Sequence, residues 1–164
     1  MIVVADTTPL ISLMKVGHLN LVHQLFGEIL IPNAVFEELV YNSRFPEESK
    51  MIRECSFIKR VDIEDVRAVQ LLRRSSGLDA GESEAIILSD MTDASLLLMD
   101  EVKGRQVARQ MGIQLMGTIG MLLAGYQEKK LSKEEILDCI EMLKTTGRHI
   151  SNKLYEQLLE KISN

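Results

Sequence analysis

Four short apolar runs most constrain what this chain can become: "IVVAD" at residues 2–6, "EILIP" at 28–32, "SLLLMD" at 95–100 and "IQLMG" at 113–117. Each is too brief for a helix, rich in aliphatic residues, and lacks an alternating polar face. That is how strands buried on both faces of a parallel sheet read. A helical signal follows each run. After the first, Thr8-Pro9 reads as N-cap and N1, a place where proline forfeits no hydrogen bond. In "NAVFEELVY" Asn33 reads as a cap, and Val35, Phe36, Leu39 and Val40 form a stripe at helical spacing. "VKGRQVARQMG" follows the third run, and a helix starts near Thr118 after the fourth. Between the second and third runs lie "SRFPEESKMIREC", a mobile loop with a short helix, and "FIKRVDI", an edge strand. The helix "EDVRAVQLLRRS" and the turn-into-helix "GLDAGESEAIILS" follow them. Two further helices start at Ser132, where Glu135 completes a capping box, and at Ser151. Strands alternating with helices predict an α/β fold: a mostly parallel sheet of four to five strands flanked by helices.

No repeat, linker or low-complexity tract interrupts the pattern. The expectation is one domain over residues 1–164, with a core at 1–120 and a C-terminal helical extension at 121–164. With four Phe, three Tyr and no Trp, the core must rest on Leu, Ile, Val and Met. The two cysteines, Cys55 and Cys139, are far apart and have no cluster of His around them. That speaks against a disulfide framework or a zinc site and fits a reducing compartment. No basic leader precedes an apolar stretch, and no apolar run approaches the ~18 residues of a membrane span. A cytoplasmic protein without a membrane role is expected.

The formal net charge is −5, whereas proteins held to nucleic acid by broad phosphate neutralisation are usually basic. Yet the acids are not scattered. Parallel strands share one polarity, and ligands of open α/β sheets sit beyond the strands' carboxyl ends. Asp6 ends the first run, and Asp100 with Glu101 end the third. Glu37/Glu38 and Glu82/Glu84 come from helices that can reach the same rim. Carboxylates gathered there resist shared ionisation, and a hard divalent cation, Mg²⁺ or Mn²⁺, relieves the conflict.

Each acid also has an ordinary reading. Asp6 and the Asp100-Glu101 pair suit the positive ends of the helices that follow them. Asp79-x-x-Glu82 is a sound capping box. Glu37 and Glu38 point about 100° apart on a helix, so one of them faces solvent; Glu38, beside the apolar Leu39, is the candidate for the rim. Glu84 is a secondary or exposed residue. All of these coinciding at one sheet edge is what favours a site.

Four blocks in order, "VADTTPLISL", "IPNAVFEELV", "LDAGESEAIILS" and "LLLMDEVKGRQVARQMGIQLMGTIGMLL", resemble the PIN-domain nucleases, including toxins of VapBC-type toxin–antitoxin systems. The likeness covers most of residues 1–120 and is closest to a branch with a C-terminal helical extension. It implies a PIN-like three-layer fold and a metal-dependent endoribonuclease. Carried over by position, the acidic residues are Asp6, Glu38, Glu82 and the Asp100-Glu101 block, with Thr7 and Thr8 as hydroxyl neighbours of the first. Glu82 stands where many relatives have Asp, and Met99 stands where many toxins carry a hydroxyl residue. The resemblance implies a metal held by Asp6, Glu82, Asp100 and Glu101. Glu38 would be a further ligand or the proton acceptor, and Thr8 would orient water or phosphate. It also implies RNA as substrate with DNA left open, and it raises an antitoxin protein and a second copy of the chain as partners.

A bound cation would invert the local field and attract phosphate. Lys103 and Arg105, with Arg109 on the same helical spacing, supply a local basic stripe for nucleic acid. Few aromatics are present, so recognition is expected through backbone and shape rather than base stacking. The rival readings come from other classes. An aspartyl-phosphate phosphatase would often show D-x-D, but Thr8 occupies that second position, and a receiver domain fails on similar grounds. A PIN fold that has lost catalysis and binds nucleic acid or protein is the remaining alternative. The C-terminal stripes, Ile136, Cys139, Ile140 and Leu143, then Leu154, Leu158 and Leu159, predict a structural or partner-binding role, with the chemistry before residue 110. Arg148 and His149 are read as part of a solvated loop.

Overall fold

A computed structural model describes residues 1–41, 46–145 and 152–163. Five strands form one sheet: β1 (Val3–Ala5), β2 (Ile29–Pro32), β3 (Ile58–Val61), β4 (Leu96–Leu98) and β5 (Leu115–Met116). Their order is β3-β2-β1-β4-β5 and every described pairing is parallel, not merely most of them. β1 is central: Val4 pairs with Leu30 on one side, and Val3, Val4 and Ala5 pair with Leu96, Leu97 and Leu98 on the other. "FIKRVDI" is indeed an edge strand.

The helices are α1 (Thr7–Lys15), α2 (Asn20–Phe26), α3 (Asn33–Val40), α4 (Pro46–Arg53), α5 (Val66–Ser76), α6 (Ala80–Met91), α7 (Val102–Gln110), α8 (Thr118–Gln127), α9 (Lys133–Thr145) and α10 (Asn152–Ser163). Side chains of successive strand residues point to opposite faces, and the core divides accordingly. Val3, Ala5, Ile29, Ile31 and Leu98 pack with residues of α1, α2, α3, α8, α9 and α10. Val4, Leu97 and Met99 pack with Leu78, Ala85, Ile86, Leu88 and Ala108 on the other side. Helix, sheet and helix make three layers.

Local details depart from the sequence expectation at several points. Asp6, not Thr8, is the N-cap of α1, so Thr7 is its first residue and Pro9 its third. Proline is tolerated throughout that first turn, because none of those N–H groups has an intrahelical partner. Asn33 does not cap α3: its side chain binds Asp62 and accepts from Arg60, tying α3 to the segment around β3. Helix α2 escapes the sequence pattern, being only seven residues with two buried positions, Leu21 and Val22. Ser132 and Glu135 do close the expected capping box.

The apolar stripe of α9 is buried as expected through Ile136, Cys139, Ile140 and Leu143. On α10 it is shifted: Leu158 and Ile162 are buried, while Leu154 is 39% exposed. Both helices join the core cluster that contains Val3 and Ala5. Residues 43–45, where the sequence led to a mobile loop, and the positions Arg148, His149 and Ser151 lie outside the described residues.

Candidate active site

Strand order reverses between β1 and β4, because one connection leads outward to β2 and β3 and the other to β5. Such a switch point leaves a crevice at the carboxyl ends of the two strands. Asp6 follows β1 directly, and its N–H donates to the Leu98 carbonyl at 2.9 Å, extending the ladder into the crevice. Asp6 is only 4% exposed.

Its carboxylate closes no side-chain capping bond onto α1, although the Thr7 amide lies near enough to favour the charged form. Burial dominates over that amide and pushes the Asp6 carboxyl from 3.8 up to about 7, with the charges of Asp79, Glu38 and Glu82 adding to the rise. Helix capping does not account for this charge.

Thr7 Oγ1 donates to Glu38 Oε2 at 2.7 Å, which carries α1's first residue to α3. Much of the Glu38 side chain is exposed, yet burial of its carboxylate raises its pKa, against the Thr7 bond and together with Asp79 and Glu84. The other Glu38 oxygen faces α6: a Cβ built on Gly81 would lie 2.7 Å from Oε1. Any side chain at position 81 would have to displace Glu38. Glu37, next in sequence, is exposed.

Asp79 and Glu82 form the capping box of α6. Glu82 N–H donates to Asp79 Oδ1 at 2.8 Å, and Asp79 N–H donates to Glu82 Oε2 at 3.0 Å. The box and the cluster are one structure, since burial, Asp79, Glu101 and Glu38 all raise the pKa of Glu82. Glu84 turns elsewhere and accepts from the Ala34 N–H at the start of α3, at 3.3 Å.

Asp100 and Glu101 part company. Asp100 takes Thr118 N–H on Oδ1 at 2.7 Å and Thr118 Oγ1–H on Oδ2 at 2.6 Å, anchoring the start of α8. Gly117 permits this approach, because a Cβ there would stand 2.8 Å from Asp100 Oδ1. Glu101 is the one that bears electrostatically on Glu82. The basic stripe divides likewise. Arg105 Nη1 donates to the Met99 carbonyl at 2.7 Å and lies near Asp100, whereas Lys103 reaches the Gly77 turn before α6.

Two clefts flank the centre. One, about 490 Å³, is lined by Thr7, Thr8, Ile11, Glu37, Glu38 and Tyr41. The other, about 540 Å³, includes Asp100, Arg105 and Gly117 together with Leu154 and Lys161 of α10. The tail therefore borders Asp100, nearer the centre than its sequence implied. Among the described residues no three His, Cys, Asp or Glu side chains converge into a ready-made cation cage. The donor chemistry nevertheless suits a hard divalent cation: oxygen ligands only, one of them buried, with carboxylates as the charged neighbours that act on it.

Of the acids that the sequence reading named, Glu38 and Glu82 bear electrostatically on Asp6, and Glu101 bears on Glu82. It gave no role in a site to Asp79 or Gly81, and it favoured Thr8 over Thr7 as the working hydroxyl. The signal for Thr7 was the strand end at Asp6, which makes the next residue the first of the helix.

An all-parallel α/β fold with carboxylates near its switch point is the class that the geometry defines. The chain matches the family model described as DUF3368, a PIN domain, over residues 2–164, and it belongs to that PIN-domain family. The match includes the C-terminal helices. No curated protein matches the chain.

Proposed function

We propose that this protein is a Mg²⁺- or Mn²⁺-dependent endoribonuclease that hydrolyses RNA phosphodiester bonds. The observation that carries the reading is Asp6: a buried carboxylate at the switch point, raised to about 7 by burial and by other carboxylates. Asp6, Glu82, Asp100 and Glu101 would hold the cation, with Asp100 kept in place by its two bonds to Thr118. A divalent ion bound there supplies Lewis-acid polarisation of the phosphate and an acidified water.

Glu38 is the proton acceptor. Thr7 fixes one of its oxygens, and its raised proton affinity brings it nearer the range useful for general-base work at neutral pH. Proton removal by Glu38 lets water attack phosphorus in line, leaving a 3′-hydroxyl and a 5′-phosphate. Thr8 lines the same cleft as Glu38 and would orient the water or a phosphate oxygen. The toxin half of a toxin–antitoxin pair is the setting in which such an activity would serve.

A binding module without catalysis is the second reading, favoured by the lack of a ready cation cage among the described residues. A manganese-dependent cleavage assay on mixed structured RNAs, with DNA of matched sequence, separates the two. Wild type should cleave and Asp6→Asn should lose more than ~100-fold, the upper end of what loss of a ligand's supporting partner costs. No cleavage by either protein would leave the binding module standing, and equal cleavage by both would take Asp6 out of the chemistry.

A further inference from the structure

Just before the acidic cluster the chain carries an opposite charge. Helix α5 ends at Gly77, whose φ of +76° is a left-handed cap that glycine adopts without strain. Its last turn holds Arg73 and Arg74. Lys103 arrives from α7, and its Nζ lies 2.9 Å from where a Cβ on Gly77 would be. Gln70, Arg73, Arg74, Gly77 and Leu78 line an open cavity of about 540 Å³. Three cations from two helices thus gather at one turn of a chain whose net charge is −5.

Cations in a last turn are favoured by the helix dipole, which accounts for Arg73 and Arg74 but not for Lys103. Among the described residues neither Arg74 nor Lys103 closes an ion pair. Arg73 is within electrostatic reach of Glu84, which offsets part of its charge. Guanidinium groups grip phosphate through paired N–H donors, lysine adds a point charge, and the Gln70 amide adds neutral donors. Gly77 and Asp79 are two residues apart, so their Cα atoms lie within roughly 7 Å. The turn that lines the cavity through Gly77 and Leu78 thus leads directly into Asp79, the cap of α6 that bears on Asp6.

We propose that this cavity is a phosphodiester subsite, which holds a nucleic-acid strand next to the phosphate presented to the Asp6 cluster. It rests on the nuclease reading and adds to it the path of the substrate. A strand crossing an acidic cluster needs cations close by, and here they come from the α5–α6 turn and α7 rather than from the length of α7 alone.

The test is fluorescence anisotropy with a labelled single-stranded RNA and a DNA of the same sequence, with chelator present to hold off hydrolysis, over a range of salt. The proteins are wild type, Arg73→Gln/Arg74→Gln, Lys103→Gln, and Lys59→Gln/Arg67→Gln as a charge-matched control. Far-UV circular dichroism confirms that each is folded. Arg73→Gln/Arg74→Gln should bind both strands about tenfold more weakly, and its log–log salt slope should fall by about 1.4, two cations at ~0.7 each. Lys103→Gln should lower the slope by about half as much, and the control should match wild type. Unchanged affinity and slope in the pocket variants, or an equal loss in the control, would overturn the subsite. A loss confined to RNA would overturn it as a phosphate site. Pocket-dependent binding by a wild type that cleaves nothing with Mn²⁺ would instead sink the nuclease reading and leave the subsite standing.

Discussion

Two aspartates end neighbouring parallel strands, and the protein treats them in opposite ways. Asp100, beyond β4, has two hydrogen bonds from Thr118 and a guanidinium nearby. Asp6, beyond β1, is buried among Asp79, Glu38 and Glu82 and is pushed to about 7. The residue type is the same, but Asp6 is the first residue beyond β1 and Asp100 the second beyond β4. The supply of donors differs as well: α8 begins beside Asp100 and gives it the N–H and hydroxyl of Thr118, whereas the helices around Asp6 bring carboxylates. A satisfied carboxylate holds structure together, and a crowded one stores the tendency to take up a cation or a proton.

The widest gap between the two should appear in stability without metal. A carboxyl with folded pKa near 7 and an ordinary value of 3.8 binds more protons folded than unfolded between those limits. Its contribution turns unfavourable as pH rises from about 4 to about 7 and stays so above that. About three units correspond to at most about 4 kcal/mol. Asp6→Asn should therefore be more stable than wild type in urea titrations at pH 8 with chelator, by up to that amount. The gain should shrink towards pH 4. Asp100→Asn should lose about 1–3 kcal/mol under the same conditions, because a charged acceptor of two bonds is weakened. Matching signs for the two variants would erase the distinction.

Metal binding sharpens the same contrast. Calorimetry with Mn²⁺ should give strong heats for wild type, a severe loss for Asp6→Asn and a smaller one for Asp100→Asn. Glu82 lies between the cases, being both a cap and a member of the cluster. Gln can serve at that capping-box position, so Glu82→Gln should change stability by less than ~0.5 kcal/mol while cleavage falls roughly 10- to 100-fold. Cleavage at the wild-type rate would leave Glu82 as a cap alone.

Gly81→Ala is the milder probe of Glu38. Alanine should favour the helix by up to about 1 kcal/mol, but its Cβ meets Glu38 Oε1 at 2.7 Å. A folded protein whose cleavage drops about tenfold is expected, on the view that ~1 Å of misplacement at a reacting group is expensive. Unaltered cleavage would mean that the position of Glu38 is not critical.

How much of this was legible in the sequence depends on distance along the chain. The strands and most helices announce themselves locally, because a buried parallel strand needs an unbroken apolar run and an amphipathic helix needs its stripe. Asp6 was legible for the same reason, as a charge at the end of such a run. The division between Asp100 and Glu101 was not, because it is made by Thr118, and Gly117 matters only once α8 has docked. Lys103 and Arg105 were read as one basic stripe, yet positions i and i+2 point about 200° apart on a helix, and Arg105 turns to the Met99 carbonyl. The start of α1 was misread by two residues, since Thr8-Pro9 imitates the N-cap position that Asp6 occupies. Asn33 imitates another, its side chain instead engaged by Arg60 and Asp62.

The smallest effect concerns the tail, the region most unlike the Asp6 cluster. Tyr126 of α8 donates its hydroxyl to the Ile162 carbonyl at 3.1 Å, tying the last turn of α10 to the core helices. Leu158 and Ile162 are each 2% exposed, so α10 is seated chiefly by apolar burial and that bond is an addition. Tyr126→Phe keeps the ring and removes only the donor, which should cost about 1 kcal/mol in thermal or urea unfolding. Since Leu154 and Lys161 border the cleft at Asp100, a loosened α10 has a route to the centre. Seating by Leu158 and Ile162 should nevertheless hold the helix, and cleavage should stay within about twofold of wild type, below the ~1.4 kcal/mol that a tenfold change represents. A tenfold fall in cleavage with the fold intact would carry the active site into α10 and end the separation of chemistry from tail.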